Sequence, residues 1–258
     1  MDLSHIVKKL TYLLGNSLLI LIFLALWEIL PRARLVDPVF IPPFSEVIIA
    51  MAKLTISGVL ISYTAISVSR AFSAFAISSL IAIPLGFMVG WFKQFERYVN
   101  PTIEMIRQLP VLALFPVFIL FFGIGELSKI VMIGVACFQS VFLNVVTGVQ
   151  NIDPLMIRLG QSLDYSNKDM FTKIVLPAAT PSIFTGLRFA ATVSIILLVA
   201  AEMLGANSGL GYAINNWEVV FQIPEMYAAI LMLVILGLIS NYVLVGIEKR
   251  ITHWREEL

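Results

Sequence analysis

The chain has 258 residues, of which 59% are hydrophobic and 13% charged, with a net charge of +1 and a mean hydropathy of +0.95. A soluble domain carries about 25% charged residues, so this composition excludes a soluble globular protein, and no basic block offers a nucleic-acid surface. Apolar runs are long and continuous, unlike the roughly ten-residue alternating strands of a barrel. At about 20 residues per spanning helix, the chain holds about six spans, read here as one all-α membrane domain over 1–258 with no sizeable soluble domain.

The spans are predicted at about 12–30, 70–91, 101–122, 128–149, 180–204 and 226–247. Lys8 and Lys9 ahead of Leu18–Leu26 resemble the start of a signal peptide. The run continues to Leu30, however, and is followed by Pro31-Arg32-Ala33-Arg34 with no small-x-small cleavage pattern, so an uncleaved first span is expected. In the connection 31–60, Pro38 and Ile41-Pro42-Pro43 predict extended chain, and Ser45 is placed to cap a helix over Glu46–Leu54. Pro84 and Pro110 fall inside apolar runs, where a proline kinks a spanning helix or serves as a hinge. The single Cys137 lies in an apolar run and reads as a small buried hydrophobe.

Residues 158–177 form a mostly polar stretch between apolar ones, the largest part of the chain available to a soluble partner. A short helix, a turn at Asp164–Asn167, a second helix and a closing Leu176-Pro177 are expected. Lys and Arg in short loops mark the cytoplasmic side. With the N-terminus inside, that side collects Lys8, Lys9, Lys93, Arg97, Arg158, Lys168, Lys173, Lys249, Arg250 and Arg255, against Arg32, Arg34, Lys53 and Lys129 outside. The loop at about 150–178 and both termini are therefore expected in the cytoplasm.

The chain lacks the machinery of an enzyme. It has no phosphate-cradling G-x-x-x-x-G-K-[ST], no cluster of metal-ligand residues and neither H-E-x-x-H nor G-x-S-x-G, so no cofactor or metal of its own is expected. Arg70, Glu104, Arg107, Arg188 and Glu202 lie in or near spans, where ionisable residues default to a functional role unless they snorkel from helix ends. Arg107 and Arg188 suit snorkelling at the cytoplasmic face, whereas Arg70 and Glu202 leave both readings open. Arg188 and Glu202 share a helix face about 21 Å apart and cannot pair within one helix. Gly186, Ala190 and Ser194 form a small-residue row that meets either another helix of the same chain, a second subunit or the pathway. Ser208-Gly209-Leu210-Gly211 reads as a turn.

Taken in order, these pieces resemble the membrane subunit of binding-protein-dependent ABC importers of the taurine, alkanesulfonate, nitrate and bicarbonate branch. The resemblance covers about 38–255. It rests on Ile41-Pro42-Pro43-Phe44-Ser45, Ile83-Pro84-Leu85-Gly86, Phe122–Lys129, Val175-Leu176-Pro177-Ala178, Thr185-Gly186-Leu187-Arg188, Ala201-Glu202-Met203-Leu204-Gly205 and Ser208-Gly209-Leu210-Gly211-Tyr212. It implies a type I importer fold in the bacterial cytoplasmic (inner) membrane. Two copies form the pathway, an extracytoplasmic binding protein delivers the cargo, and two ATPase subunits bind ATP and Mg.

The same resemblance places ATPase contacts at 155–173, with Arg158, Gly160, Ser162, Asp164, Ser166, Lys168, Asp169 and Pro177 as coupling candidates. Its pathway candidates are Arg70, Arg188, Glu202, Ser208, Gly209, Gly211 and Tyr212. The family loop begins Glu-Ala-Ala and has a later glycine. Here Arg158-Leu159-Gly160 and Asp164 stand in those places. Asp tolerates the left-handed conformation, and Ser166 is placed to cap the next helix. Arg158 either meets a compensating partner surface or points to solvent. The expected cargo is a small anion such as a sulfonate, taurine, nitrate or bicarbonate. A secondary carrier or channel without an ATPase, and a non-transporting scaffold, are the alternatives.

Overall fold

A computed structural model describes residues 3–252, with side chains from Leu18 onward. The described residues are helical throughout: α1 (Leu3–Arg32), α2 (Phe44–Ile56), α3 (Val59–Trp91), α4 (Lys93–Gln108), a 3-10 turn (Val111–Leu114), α5 (Phe115–Phe122), α6 (Glu126–Gln150), α7 (Pro154–Ser162), α8 (Asn167–Met170), a π turn (Phe171–Val175), α9 (Leu176–Gly205), α10 (Leu210–Val219) and α11 (Ile223–Ile251). Among the described residues, four helices are long and apolar enough to cross a membrane, or five if the pair Lys93–Gln108 and Val111–Phe122, bent by 85°, counts as one span. The span expected at 12–30 falls in α1, partly outside the described side chains, and His253 and Arg255 also lie outside the described residues.

The backbone divides into two compact units, 1–62 with 213–231 and 63–212 with 232–258. In the first, Trp27 packs against Phe44 and Tyr227 and donates from Nε1 to the Pro42 carbonyl at 3.1 Å. Ser45 is not the cap of α2, which starts one residue earlier with Pro43 at the cap position. The Glu28 carboxylate does that work from α1. It accepts from the Ser45 amide and hydroxyl, both at 2.9 Å, placing an anion where the first-turn amides point. Nor is the chain extended throughout before α2, since Asp37 anchors a turn by accepting from the Val39, Phe40 and Ile41 amides.

The second unit holds the main core, in which α6 and α9 pack face to face. Their backbones approach because glycine stands at the contacts. A Cβ on Gly186 would lie 2.8 Å from Asn144 Cβ, and Cys137 Sγ sits 3.5 Å from the Ala190 carbonyl. The row Gly186, Ala190, Ser194 is thus buried against a helix of the same chain. On an adjoining face of α6, a Cβ on Gly86 would lie 2.7 Å from Val145 Cβ, which fixes the approach of α3.

The prolines behave differently from one another. α3 passes through Pro84 unbroken. At Pro110 the predicted span 101–122 breaks: Lys93–Gln108 and Val111–Phe122 meet at 85°. Leu109, preceding the proline, is extended at ψ 119°, as the proline ring demands. The Ile106 carbonyl, denied a donor by Pro110, accepts from the Leu109 amide at 3.1 Å and from Gln139 Nε2 at 2.7 Å. Pro177 does not close the loop either. A π turn over Phe171–Val175 lies just before it, a form in which a helix accommodates a lost hydrogen bond. Asn167–Gly205 therefore runs on as one span-length helix.

Candidate functional site

The loop after α6 is built from capping interactions. Asp153 accepts from the Leu155 amide at 2.8 Å, and Pro154 occupies the first position of α7, where its missing N–H costs nothing. The helix stops in a Schellman turn. The Tyr165 amide donates to the Gly160 carbonyl and the Asp164 amide to the Gln161 carbonyl, both at 3.1 Å. Asp164 occupies the left-handed position, φ 52°, the place where glycine would sit most easily. Ser166 then caps α8, its hydroxyl accepting from the Asp169 amide at 3.2 Å and donating to the Asp169 carboxylate at 2.6 Å. Asp169 also pairs with Lys173 at 2.7 Å.

Gly160 is buried because α7 lies directly on the following segment. A Cβ there would fall 2.6 Å from Ile174 Cδ1 and 2.9 Å from Met170 Cε. Phe171, one residue on, meets the Phe87 ring of α3 at 5.1 Å. The flank of α7 beside Gly160 is bare. Leu155, Leu159 and Leu163 recur every four residues and are 69%, 59% and 57% exposed, a stripe on one side of the helix. Arg158, Ser162, Asp164, Ser166 and Lys168 are exposed as well. Arg158 edges a groove of about 640 Å³ shared with Lys93, Glu96 and Gln161. Its guanidinium forms no ion pair among the described residues. Pro177 is half-buried at the start of α9.

The pathway candidates gather far from this loop. Arg70 lies about 25 Å before Phe87 along α3 at ~1.5 Å per residue, and all five of its N–H groups are engaged. Nη1 donates to Glu202 Oε1 and the Ser208 carbonyl, both at 2.7 Å. Nε and Nη2 hold the two oxygens of Glu126, and Nη2 also reaches Ser208 Oγ at 3.2 Å. Glu202, with no exposed surface, accepts in addition from the Ser67 hydroxyl at 2.9 Å and the Gly211 amide at 2.8 Å. Ser67 in turn accepts from the Leu210 amide at 2.8 Å. Lys129, buried, pairs with Glu126 at 2.9 Å. Two cations and two anions are therefore neutralised together.

The two glycines of the turn are dictated by this knot. Gly209 adopts φ +110°, and a Cβ there would overlap the Glu202 carboxylate; one on Gly211 would lie 2.6 Å from the Val199 carbonyl oxygen. Tyr212 packs edge-on against Tyr63 at 6.1 Å. Arg188 stands apart from the group. It pairs with Glu248 of α11 and sits 3.4 Å from Thr185 Oγ1, an arrangement that ties two helices together. Ser67, Glu126 and Lys129 were not singled out from the sequence. Glu126 and Lys129 do lie in the Phe122–Lys129 segment that carries the resemblance, but nothing local signals their partners.

The family described as binding-protein-dependent transport system inner membrane component matches residues 82–253. The taurine transport system permease protein TauC of Escherichia coli is 32% identical over 92% of this chain and 88% of its own length. The formylaminopyrimidine transport permease protein ThiX of Halalkalibacterium halodurans is 28% identical over 95% of this chain and 97% of its own. In structure, the chain is similar to the inward-facing MetNI methionine ABC transporter, with a TM-score of 0.61 at 18% identity over 74% of this chain and 96% of that one. An amino acid ABC transporter gives 0.58 at 17% identity over 77% and 97%. The fold is that of type I importer permeases, and the chain belongs to the family of binding-protein-dependent ABC importer membrane components.

Proposed function

We propose that this permease works as a pair of identical subunits, driven by two ATPase subunits that dock on the α7–α8 loop and supplied with cargo by an extracytoplasmic binding protein. The observation that carries the docking site is the exposed Leu155–Leu159–Leu163 stripe on a helix held against the following segment at Gly160. Apolar side chains at the tip of a polar loop have no use in water and none in lipid; a protein partner gives them one. The excess of Lys and Arg on the loop side supports a cytoplasmic loop and cytoplasmic termini. ATP and Mg belong to the ATPase subunits, whose closure moves the loops as rigid bodies and reverses the side to which the pathway opens.

The proposed cargo is a small organic anion of the sulfonate class. A taurine permease and proteins named as aliphatic sulfonates permeases are among the relatives. The test is ATP hydrolysis in nanodiscs by the permease with its ATPase subunits, with and without binding protein and taurine or ethanesulfonate. Hydrolysis that rises only when binding protein and one anion are both present supports the assignment. A chain that binds no ATPase subunit yet conducts solute overturns it in favour of a carrier or channel.

A further inference from the structure

The break at Pro110 opens a cavity of about 450 Å³ between the end of α4, α6 and α9, within the roughly 300–1,000 Å³ of small-molecule sites. Its polar wall is Arg107, Gln139, Ser140 and Asn144; Leu112 and Phe189 contribute to the apolar remainder. Two routes place it at mid-span. Gln139 lies about 20 Å along α6 from Glu126, and the rise from Val111 to Phe122 is also about 20 Å. At that depth a cationic side chain is costly unless it serves a purpose.

Arg107 differs from the other span arginines in what it touches. Arg70 has every donor filled, and Arg188 holds Glu248 and Thr185. Arg107 has only a loose contact with Glu104 of its own helix, 3.6 Å; its side chain is 48% exposed and lines the cavity. A helix-end arginine that snorkels would run to the water interface; this one stands opposite the middle of two spans. The neighbouring cavity between α3, α9 and α11, about 300 Å³, is lined by serines and apolar residues and carries no charge.

We infer that the Arg107 cavity is a station for a small organic oxyanion on its way through the permease. The planar guanidinium takes two oxygens of the anionic head group; the Asn144 and Gln139 amides each give one N–H to a carbonyl, of Ser140 and Ile106, and offer the second to the remaining oxygens, and Leu112 and Phe189 cover a short alkyl tail. The inference names a cargo-binding residue for the proposed transport and rests on that reading for its role, but not for its test.

The test places a thiol at Asn144 (Asn144→Cys) in the full chain in nanodiscs, without ATP or binding protein. Labelling by 2-sulfonatoethyl methanethiosulfonate is compared with labelling by its trimethylammonium counterpart, each rate normalised to free cysteine. The native Cys137 is buried. An anion preference of about tenfold is expected at a site facing a guanidinium held only by the 3.6 Å contact with Glu104. Arg107→Gln should abolish it and Arg107→Lys should retain part of it, and ethanesulfonate should slow the anionic reagent. An unchanged preference in Arg107→Gln, or a thiol that neither reagent reaches, overturns the site. Charge preference in a chain that transports no anion would sink the cargo assignment alone.

Discussion

Arg70 and Glu202 meet across 132 positions of sequence, Nη1 to Oε1 at 2.7 Å, with side chains 4% and 0% exposed. Removing one member of such a pair strands the other without water. Arg70→Met is expected to cost about 3–5 kcal/mol, read as a lowered unfolding midpoint of the purified protein. The double variant Arg70→Met with Glu202→Met should recover much of the loss, because no buried charge is then left unpaired. Equal losses in the single and double variants would show that the pairing itself matters little.

Two glycines allow conformation and crowding to be separated. Gly58 and Gly209 both have positive φ, but a Cβ on Gly58 meets nothing within 4 Å, whereas one on Gly209 overlaps the Glu202 carboxylate. Gly58→Ala should therefore cost only the left-handed backbone penalty, roughly 1–2 kcal/mol. Gly209→Ala should cost clearly more in the same thermal denaturation, since the ion cluster must also move.

Asp164 holds a left-handed turn that glycine would hold without strain. Asp164→Gly is expected to stabilise the loop by about 1 kcal/mol, and Asp164→Val to destabilise it. Amide hydrogen exchange at Leu163 and Tyr165 would report both changes. Slower exchange in the valine variant would contradict the turn geometry.

Charge reversal tests the α9–α11 tie. Arg188→Glu alone faces Glu248 with a like charge and should lose about 1–2 kcal/mol for a half-buried pair. Adding Glu248→Arg should restore most of it. Failure of the double exchange to restore the unfolding midpoint would assign Arg188 a role other than holding α11.

The parts of the fold legible in the sequence were those governed by neighbours in the chain. The apolar stretches around 128–149 and 226–247 are helices, and the Asp164 turn and Ser166 cap follow from what those residues do locally. Ser45 departs from its expected role as a cap for the same reason. Its local pattern suits a cap, but the carboxylate that caps α2 comes from Glu28, seventeen positions earlier. Pro84 and Pro110 look alike as letters; at the second, Gln139 on another helix joins the Leu109 amide in donating to the Ile106 carbonyl. The Arg70 cluster was the least visible, because no periodicity links residues 67, 70, 126, 202 and 208.

The helix that passes through Pro177 without interruption also sets the mechanics. Asn167–Gly205 is 39 residues long, a rod of about 58 Å at ~1.5 Å per residue. One end carries the cap beside the bare leucine stripe, and the other carries Glu202. A tilt of only about 10° about its centre displaces both tips by roughly 5 Å in opposite directions, the scale of a rigid-body switch. Under the proposed docking of ATPase subunits on the polar loop, a push there would reach the other end of the helix as leverage, with no relay of side chains between.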